Sequence, residues 1–393
     1  MIKNIVIIFI LSVLICGCEK FSDLRLKNLF NKNNELTEQT GKYAINPQYS
    51  SADNFSEGLA AVRIGDDKTG KWGFIDKTGK YAINPQFDSV FKYSKGLAAV
   101  RIGDDKTGKW GFIDKSGKLV ISPQFDSVHN FSEGLAAVRI GDDETGKWGF
   151  IDKSGKLVIS PQFDAISHGA FSEGLASVRI GQRKTGKFGF IDKTGKLVIS
   201  PQFNYPHNFS EGLAAVSIEA EKWGYIDKSG KLVISPQFYV ALDFLDGLAG
   251  VSIYAGTETL RDGFIDRDHK IGWIDKTGKY AINPQFSNAY DFKEGLAAVR
   301  IGDDKTGKWG FIDKTGKYVI NPQYSSVFYF SEGLAAVRIG DDETGKWGFI
   351  DKSGKLVISP QFDAISHGGF SEGLASVRIG DDKTGKWGFI SRR

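Results

Sequence analysis

Lys147-Trp148-Gly149-Phe150-Ile151-Asp152-Lys153 is one copy of a phrase that returns about every 38 residues, from near Thr40 to the end of the chain. Its second residue is, in nine successive copies, Trp72, Trp110, Trp148, Phe188, Trp223, Ile271, Trp309, Trp347 and Trp387. Two further phrases, Glu-Gly-Leu-Ala and Pro-Gln-Phe, keep step with it. Outward from Trp148 the local reading is direct. Upstream, Gly134 to Gly141 reads Gly-Leu-Ala-Ala-Val-Arg-Ile-Gly, which alternates at the period of a strand. Asp142 to Gly146 is a polar hairpin loop, and Lys147 to Asp152 is a second strand. Asp152-Lys153-Ser154-Gly155 makes a tight turn with Gly155 suited to its left-handed position, and Lys156 to Ser160 returns as a third strand. Pro161 has no N–H to give a ladder, so it is expected to end the strand and release the chain into a connector that reaches Phe171.

Each unit is thus a three- to four-stranded antiparallel meander that cannot bury both faces alone, and nine of them must stack. The fold class is all-β. Trp72, Trp110, Trp148, Trp223, Trp309, Trp347 and Trp387 are expected in the core between sheets, with the Phe two residues on, the Leu of Glu-Gly-Leu-Ala and the Phe of Pro-Gln-Phe. The array opens with a lone third strand, Lys42 to Asn46, and closes with a first and a second ending at Ile390. A β-propeller closes its ring in this way, by sharing one blade between the two ends of the chain, and closure removes two exposed edges. An open β-solenoid is the alternative. It gains some support from residues 131–180, which match 330–379 except for Ala170 and Gly369 and so record duplication of a block of units.

Composition agrees with many short strands and tight turns: 48 glycines, one methionine and 41% apolar residues in 393. The net charge of +4 comes from acids and bases interspersed in every unit, which excludes a basic nucleic-acid track. Residues 1–39 stand apart from the repeats. Lys3 precedes the apolar run Ile5 to Ile15, too short to span a bilayer comfortably and read as an export signal. Ile15-Cys16-Gly17-Cys18 resembles the bacterial lipoprotein box. That resemblance implies cleavage after residue 17, lipidation of Cys18, a polar spacer over 18–39 and a repeat array over 40–393. Cys16 is the poorer acceptor because bulky Ile15 would then precede the cut, and a cleaved signal without lipid is the other reading. With both cysteines so placed, no disulfide is left to stabilise the mature chain.

The loop Gly65-Asp66-Asp67-Lys68-Thr69-Gly70-Lys71 mimics a phosphate loop but is rejected as one. Trp72 stands where a metal-binding hydroxyl belongs, and the loop joins two strands instead of leading into a helix. Its Asp pair lacks the alternating spacing of a calcium loop. No catalytic constellation, cofactor fingerprint or metal-ligand spacing is found, so no catalytic residue, cofactor or metal is assigned. One connector position varies while the frame beside it stays fixed. It carries Phe91, His129, His168, His207, Tyr290, Phe328 and His367, with Asp53 and Leu242 in the remaining copies, and these seven rings are the candidate ligand-binding residues. A metal-binding ladder of the histidines is the lesser alternative, without a supporting motif. The sixth unit is about ten residues longer than the others, a looseness common in loop insertions, and gathers Asp262, Asp266, Asp268 and His269.

Lys-Trp-Gly-Phe-Ile-Asp-Lys-Thr-Gly-Lys, Pro-Gln-Phe and Phe-Ser-Glu-Gly-Leu-Ala resemble the signatures of the bacterial WG-repeat proteins, also called KWG repeats, across roughly residues 40–393. Phe188 and Ile271 depart from the pattern. The resemblance implies an exported or envelope-associated repeat scaffold without established catalysis. The reading is then a non-enzymatic scaffold, anchored to the envelope by lipid, that binds an envelope or extracellular protein through its connectors. Recognition of cell-wall or surface glycan is the alternative, favoured if the tryptophans are exposed. Glycan hydrolysis would need a pair of close carboxylates in one cleft.

Overall fold

The computed structural model describes residues 41–392 apart from 170, 220–221, 262–263, 304 and 342, with side chains left out at 255–268 and at 367. The export signal, Cys18 and the spacer lie outside the described residues. The described chain forms nine four-stranded antiparallel sheets. In the third, Ser127–Val128, Ala136–Ile140, Lys147–Ile151 and Leu157–Phe163 follow one another as a meander. The expected additional strand does lie in the connector, where it is the first strand of the sheet and only two residues long. The ninth sheet joins the two ends of the chain: Tyr43–Tyr49 lies against Lys386–Ser391, with Tyr43 opposite Ile390 and Tyr49 opposite Trp387. The array is therefore a closed β-propeller, and the open solenoid is set aside.

Pro161 does not end its strand. The fourth strand runs through it to Phe163, which pairs with Trp148, while Ile159 pairs with Phe150. Four steps on one strand thus face two on the other, and the proline sits in this bulge on the outer edge of the blade, where no further strand needs its N–H. The bulge explains the glycine that follows each tryptophan. A Cβ on Gly149 would stand 2.5 Å from the Ile159 carbonyl oxygen and 2.7 Å from Pro161 N, so the folded-over strand fits only on a bare backbone.

Both faces of every blade are covered by neighbours, and the second strand accordingly buries consecutive residues, such as Ala136, Ala137 and Val138. The core is divided into clusters between adjacent blades. Leu97, Ala99, Trp110 and Phe112 of blade 2 meet Val128, Phe131, Val138 and Ile151 of blade 3. At each interface an aromatic ring of the third strand lies edge-on to the connector ring of the next blade, as in Phe112 with Phe131 at 5.0 Å, and the series closes with Phe389 and Phe55 at 5.0 Å.

The phrase Ser-Glu-Gly-Leu is a two-residue hairpin turn. Ser56 and Leu59 exchange backbone hydrogen bonds, and Glu57 and Gly58 have φ of 54° and 88°, the pattern of a type I′ turn. Glutamate is an unfavoured residue at such a φ. Its carboxylate reaches the next blade: Glu57 accepts from Gly96 N–H at 2.9 Å, Glu133 from Gly174 at 3.1 Å, and Glu372 from Gly58 at 3.0 Å across the closure. A lysine of the Ile-Asp-Lys turn pairs with the same group, as Lys193 does with Glu133 at 3.0 Å. The adjoining serine hydroxyl donates to a carbonyl of the next blade, Ser132 to Phe171 and Ser371 to Phe55, both at 2.8 Å. Lys95 replaces the glutamate in blade 2, and Lys153 Nζ there donates to the Lys95 carbonyl at 2.7 Å.

Candidate functional site

The connectors between first and second strands carry the variable residues, and the closed ring brings them round one axis. A cavity of about 480 Å³ is lined by Asn54, Lys92, Asn130, Lys293, Tyr329 and Ser366, contributed by blades 1, 2, 3, 7, 8 and 9. Residues from blades 3 and 7, nearly opposite in the ring, share this space, which makes it the mouth of the central channel. The first strands, two residues long in all but the ninth sheet, are thus innermost and the bulged fourth strands outermost.

The seven rings singled out from the sequence do not line the mouth as a set. Most are turned back onto the tryptophan of their own blade. Phe91 stacks on Trp110 with centroids 4.8 Å apart, Tyr290 on Trp309 at 5.1 Å, and Phe328 on Trp347 at 5.1 Å. His129 lies against Trp148 and His207 edge-on to Trp223, each at 5.1 Å. His168 instead meets His207 of the next blade at 4.9 Å. The side chain of His367 lies outside the described set. An arginine of the second strand also approaches the tryptophan, as Arg101 does Trp110 at 5.7 Å and Arg139 Trp148 at 5.7 Å. Trp110, Trp309 and Trp347 are buried, and Trp72, Trp148, Trp223 and Trp387 are half-buried within or against the interblade clusters.

Phe91 also lines the mouth, but the other lining side chains were missed: Asn54, Lys92, Asn130 and Tyr329 stand one position further along the connector, where Asn208, Asp243 and Asp291 occupy other copies. The signal was available, because this position is as variable as its neighbour and polar in every copy named. Consecutive residues in an extended segment point to opposite sides, so an aromatic turned to the frame leaves its successor turned to the axis.

The connectors carry charge of both signs, Asp53 and Lys92 on blades 1 and 2, and Asp243, Asp291 and Lys293 on blades 6 and 7. His207 Nδ1 lies 2.9 Å from Asp243 Oδ1, and its ring touches His168, so a run of titratable groups crosses blades 4 to 7. Burial pushes the Asp291 carboxyl up to about 6, aided by the negative charge of Asp243 and opposed by His207. Burial pushes His129 and His168 down, favouring neutral rings at neutral pH. Among the described residues no group of three or more His, Cys, Asp or Glu is arranged to hold a metal ion. In the sixth blade, Ala249–Arg261 and Phe264–Ile274 form one long hairpin. The His269 ring packs on Tyr239 at 5.0 Å, and Asp262 lies outside the described residues, as do the side chains of Asp266 and Asp268.

The loop that mimics a phosphate site is closed by its own first aspartate. Asp66 Oδ1 accepts the N–H groups of Lys68 and Thr69, each at 2.8 Å, and these bonds hold its carboxyl below the usual range. The amides that would cradle an anion are already committed.

A model of the WG containing repeat matches residues 38–68, 72–106, 110–142, 148–183, 188–220, 223–254, 271–305, 309–341 and 347–387. No curated protein matches the chain. Among solved structures, BamB from Moraxella catarrhalis aligns at 12% identity over 86% of this chain and 100% of that one, with a TM-score of 0.42. The tricorn protease aligns at 12% identity over 82% of this chain and 46% of that one, with a TM-score of 0.36.

Proposed function

Since the chain belongs to the family of WG-containing repeat proteins, and its varied side chains gather where nine connectors meet, we propose that it is a non-enzymatic scaffold of the bacterial envelope that binds another protein at the mouth of its channel. The observation that carries this reading is the contrast between a constant frame and a polar, changing set of residues facing one shared cavity, Asn54, Lys92, Asn130 and Tyr329 among them. Main-chain ladders, edge-on aromatic pairs and the carboxylate contacts hold the frame rigid, so these side chains are presented with little ordering left to pay on binding. Envelope anchoring rests on the apolar run Ile5 to Ile15 and on Cys18.

Glycan binding loses the feature that favoured it, because the tryptophans are stacked or half-buried instead of exposed. A photo-crosslinking residue placed in turn at Lys92, at Tyr329 and at the outer-rim Lys118 in intact cells tests the proposal. A discrete protein adduct at the first two and not at the third is expected. Equal labelling at all three sites, or adducts to cell-wall glycan alone, would refute it.

A further inference from the structure

Blade 6 lacks the feature that fills the same place in its neighbours. Across the second and third strands most blades pair an arginine with a tryptophan, Arg101 with Trp110 and Arg300 with Trp309 for example. Blade 4 keeps the arginine over Phe188, and blade 5 keeps Trp223 opposite Ser217. In blade 6 both large partners are gone, and Ser252 faces Ile271. The connector ring is replaced as well, by Leu242, and the alanine two residues before the arginine by Gly250.

These four changes remove side-chain volume from one face of one blade, and a cavity of about 240 Å³ occupies the place. Leu242, Gly250, Ser252 and Ile271 line it from blade 6, and Asn288 and Ala289 of the next blade close it. A Cβ on Gly250 would stand 3.1 Å from Leu242 Cδ1 and 3.6 Å from Trp273 Nε1, so the glycine opens the floor of the cavity. The walls are mostly apolar. Ser252 is 1% exposed, and its hydroxyl has no hydrogen-bond partner among the described residues. Its counterpart in blade 5, Ser217, donates to the Glu219 carbonyl at 2.5 Å. A buried hydroxyl left unpaired is destabilising, and a ligand group that pairs with it recovers that cost.

We infer that this cavity is a binding site for a small aromatic molecule carrying one NH or OH group, the indole or phenol class, seated where its neighbours hold an indole of their own. Size agrees: an apolar cavity of roughly 150 Å³ accepts benzene, so the larger space here takes a bicyclic ring. The ring would lie between Leu242 and Ile271, with its polar atom on Ser252 Oγ. The inference does not depend on the channel mouth, which is a separate surface.

The test uses 5-fluoroindole and the full-length protein in detergent, followed by fluorine NMR against protein-free micelles. Saturable binding is expected, weakened about five- to tenfold by Ser252→Ala. The paired change Ser252→Arg with Ile271→Trp restores the pattern of the other blades and should abolish binding while raising the unfolding temperature. Competition by N-acetyltryptophanamide as strong as that by indole would identify the ligand as an aromatic side chain of a protein; competition by indole alone would identify a free metabolite. Absence of saturable binding, or binding unchanged in both Ser252→Ala and the paired variant, overturns the inference.

Discussion

Lys95→Glu should make the protein more stable, and the structure gives both the reason and the size. In seven blades a glutamate in the Ser-Glu-Gly-Leu turn accepts the glycine N–H of the next blade, with separations near 3 Å, as Glu173 does from Gly212 at 3.0 Å. Blade 2 has Lys95 there, with the same left-handed backbone at φ 55°, so the substitution introduces no new turn strain. The new carboxylate would meet Gly134 N–H and the Lys153 ammonium, which already sits on the Lys95 carbonyl. A hydrogen bond to a charged acceptor contributes about 1.5–3 kcal/mol, taken here at the low end because the site is half exposed. The ion pair adds about 0.2–1 kcal/mol. The expected gain is about 1.7–2.5 kcal/mol, or roughly 2–3 °C in Tm for a domain of this length. Urea titration and calorimetry at low and high salt read it directly. Salt should erode the ion-pair part and leave the hydrogen bond. Glu133→Lys, the reverse change in the next blade, should lose a similar amount. An unchanged or lowered midpoint for a well-folded Lys95→Glu protein would refute the claim that these carboxylates hold the blades together.

Gly149→Ala should cost more than about 3 kcal/mol, since its methyl meets backbone atoms on the folded-over strand, whereas Gly134→Ala meets nothing within 4 Å and should cost about 1–2 kcal/mol from its left-handed φ alone; urea midpoints separate the two. Asp291 binds its proton more tightly folded than unfolded, with a carboxyl near 6 against an ordinary 3.8. Unfolding therefore releases that proton between these values, stability falls as pH rises through the window, and the penalty above it is about 2–3 kcal/mol. Asp291→Asn should thus be more stable than the parent at pH 8, with the gap closing towards pH 4, as pH-dependent denaturation will read. Removal of residues 41–50 uncovers the edge of Lys386–Ser391 and should produce concentration-dependent association beyond that of the parent protein on size-exclusion chromatography.

The strands were legible because each is short, alternates, and is bounded by glycine turns; the closure was legible because a lone strand at Lys42 to Asn46 had no partner nearer than the far terminus. What stayed hidden depended on residues that meet only after folding. Pro161 looked like a terminator because the bulge that accommodates it is made by Gly149 on another strand. The connector rings looked free because the tryptophans that take most of them up lie well downstream, 19 residues for Phe91 to Trp110 and Tyr290 to Trp309 and 16 for His207 to Trp223. The recurring interval of 19 was the unread clue. Ile271 stood out in the sequence only as a departure from the pattern, and its consequence became visible only with Ser252 opposite it.

The clasp between Tyr43–Tyr49 and Lys386–Ser391 fixes where the circle is fastened without fixing how long the belt is. The serine and glutamate hydrogen bonds between blades run to the immediate neighbour in the same rotational sense, so a block inserted between the termini is met by compatible partners on both sides. The near-identity of residues 131–180 and 330–379 shows that such insertion has occurred. Adding or removing blades at constant chemistry changes the bore of the ring and the arc over which each connector is displayed. Gene-level copy number is therefore a gauge for the width of the opening, set independently of the side chains that furnish it.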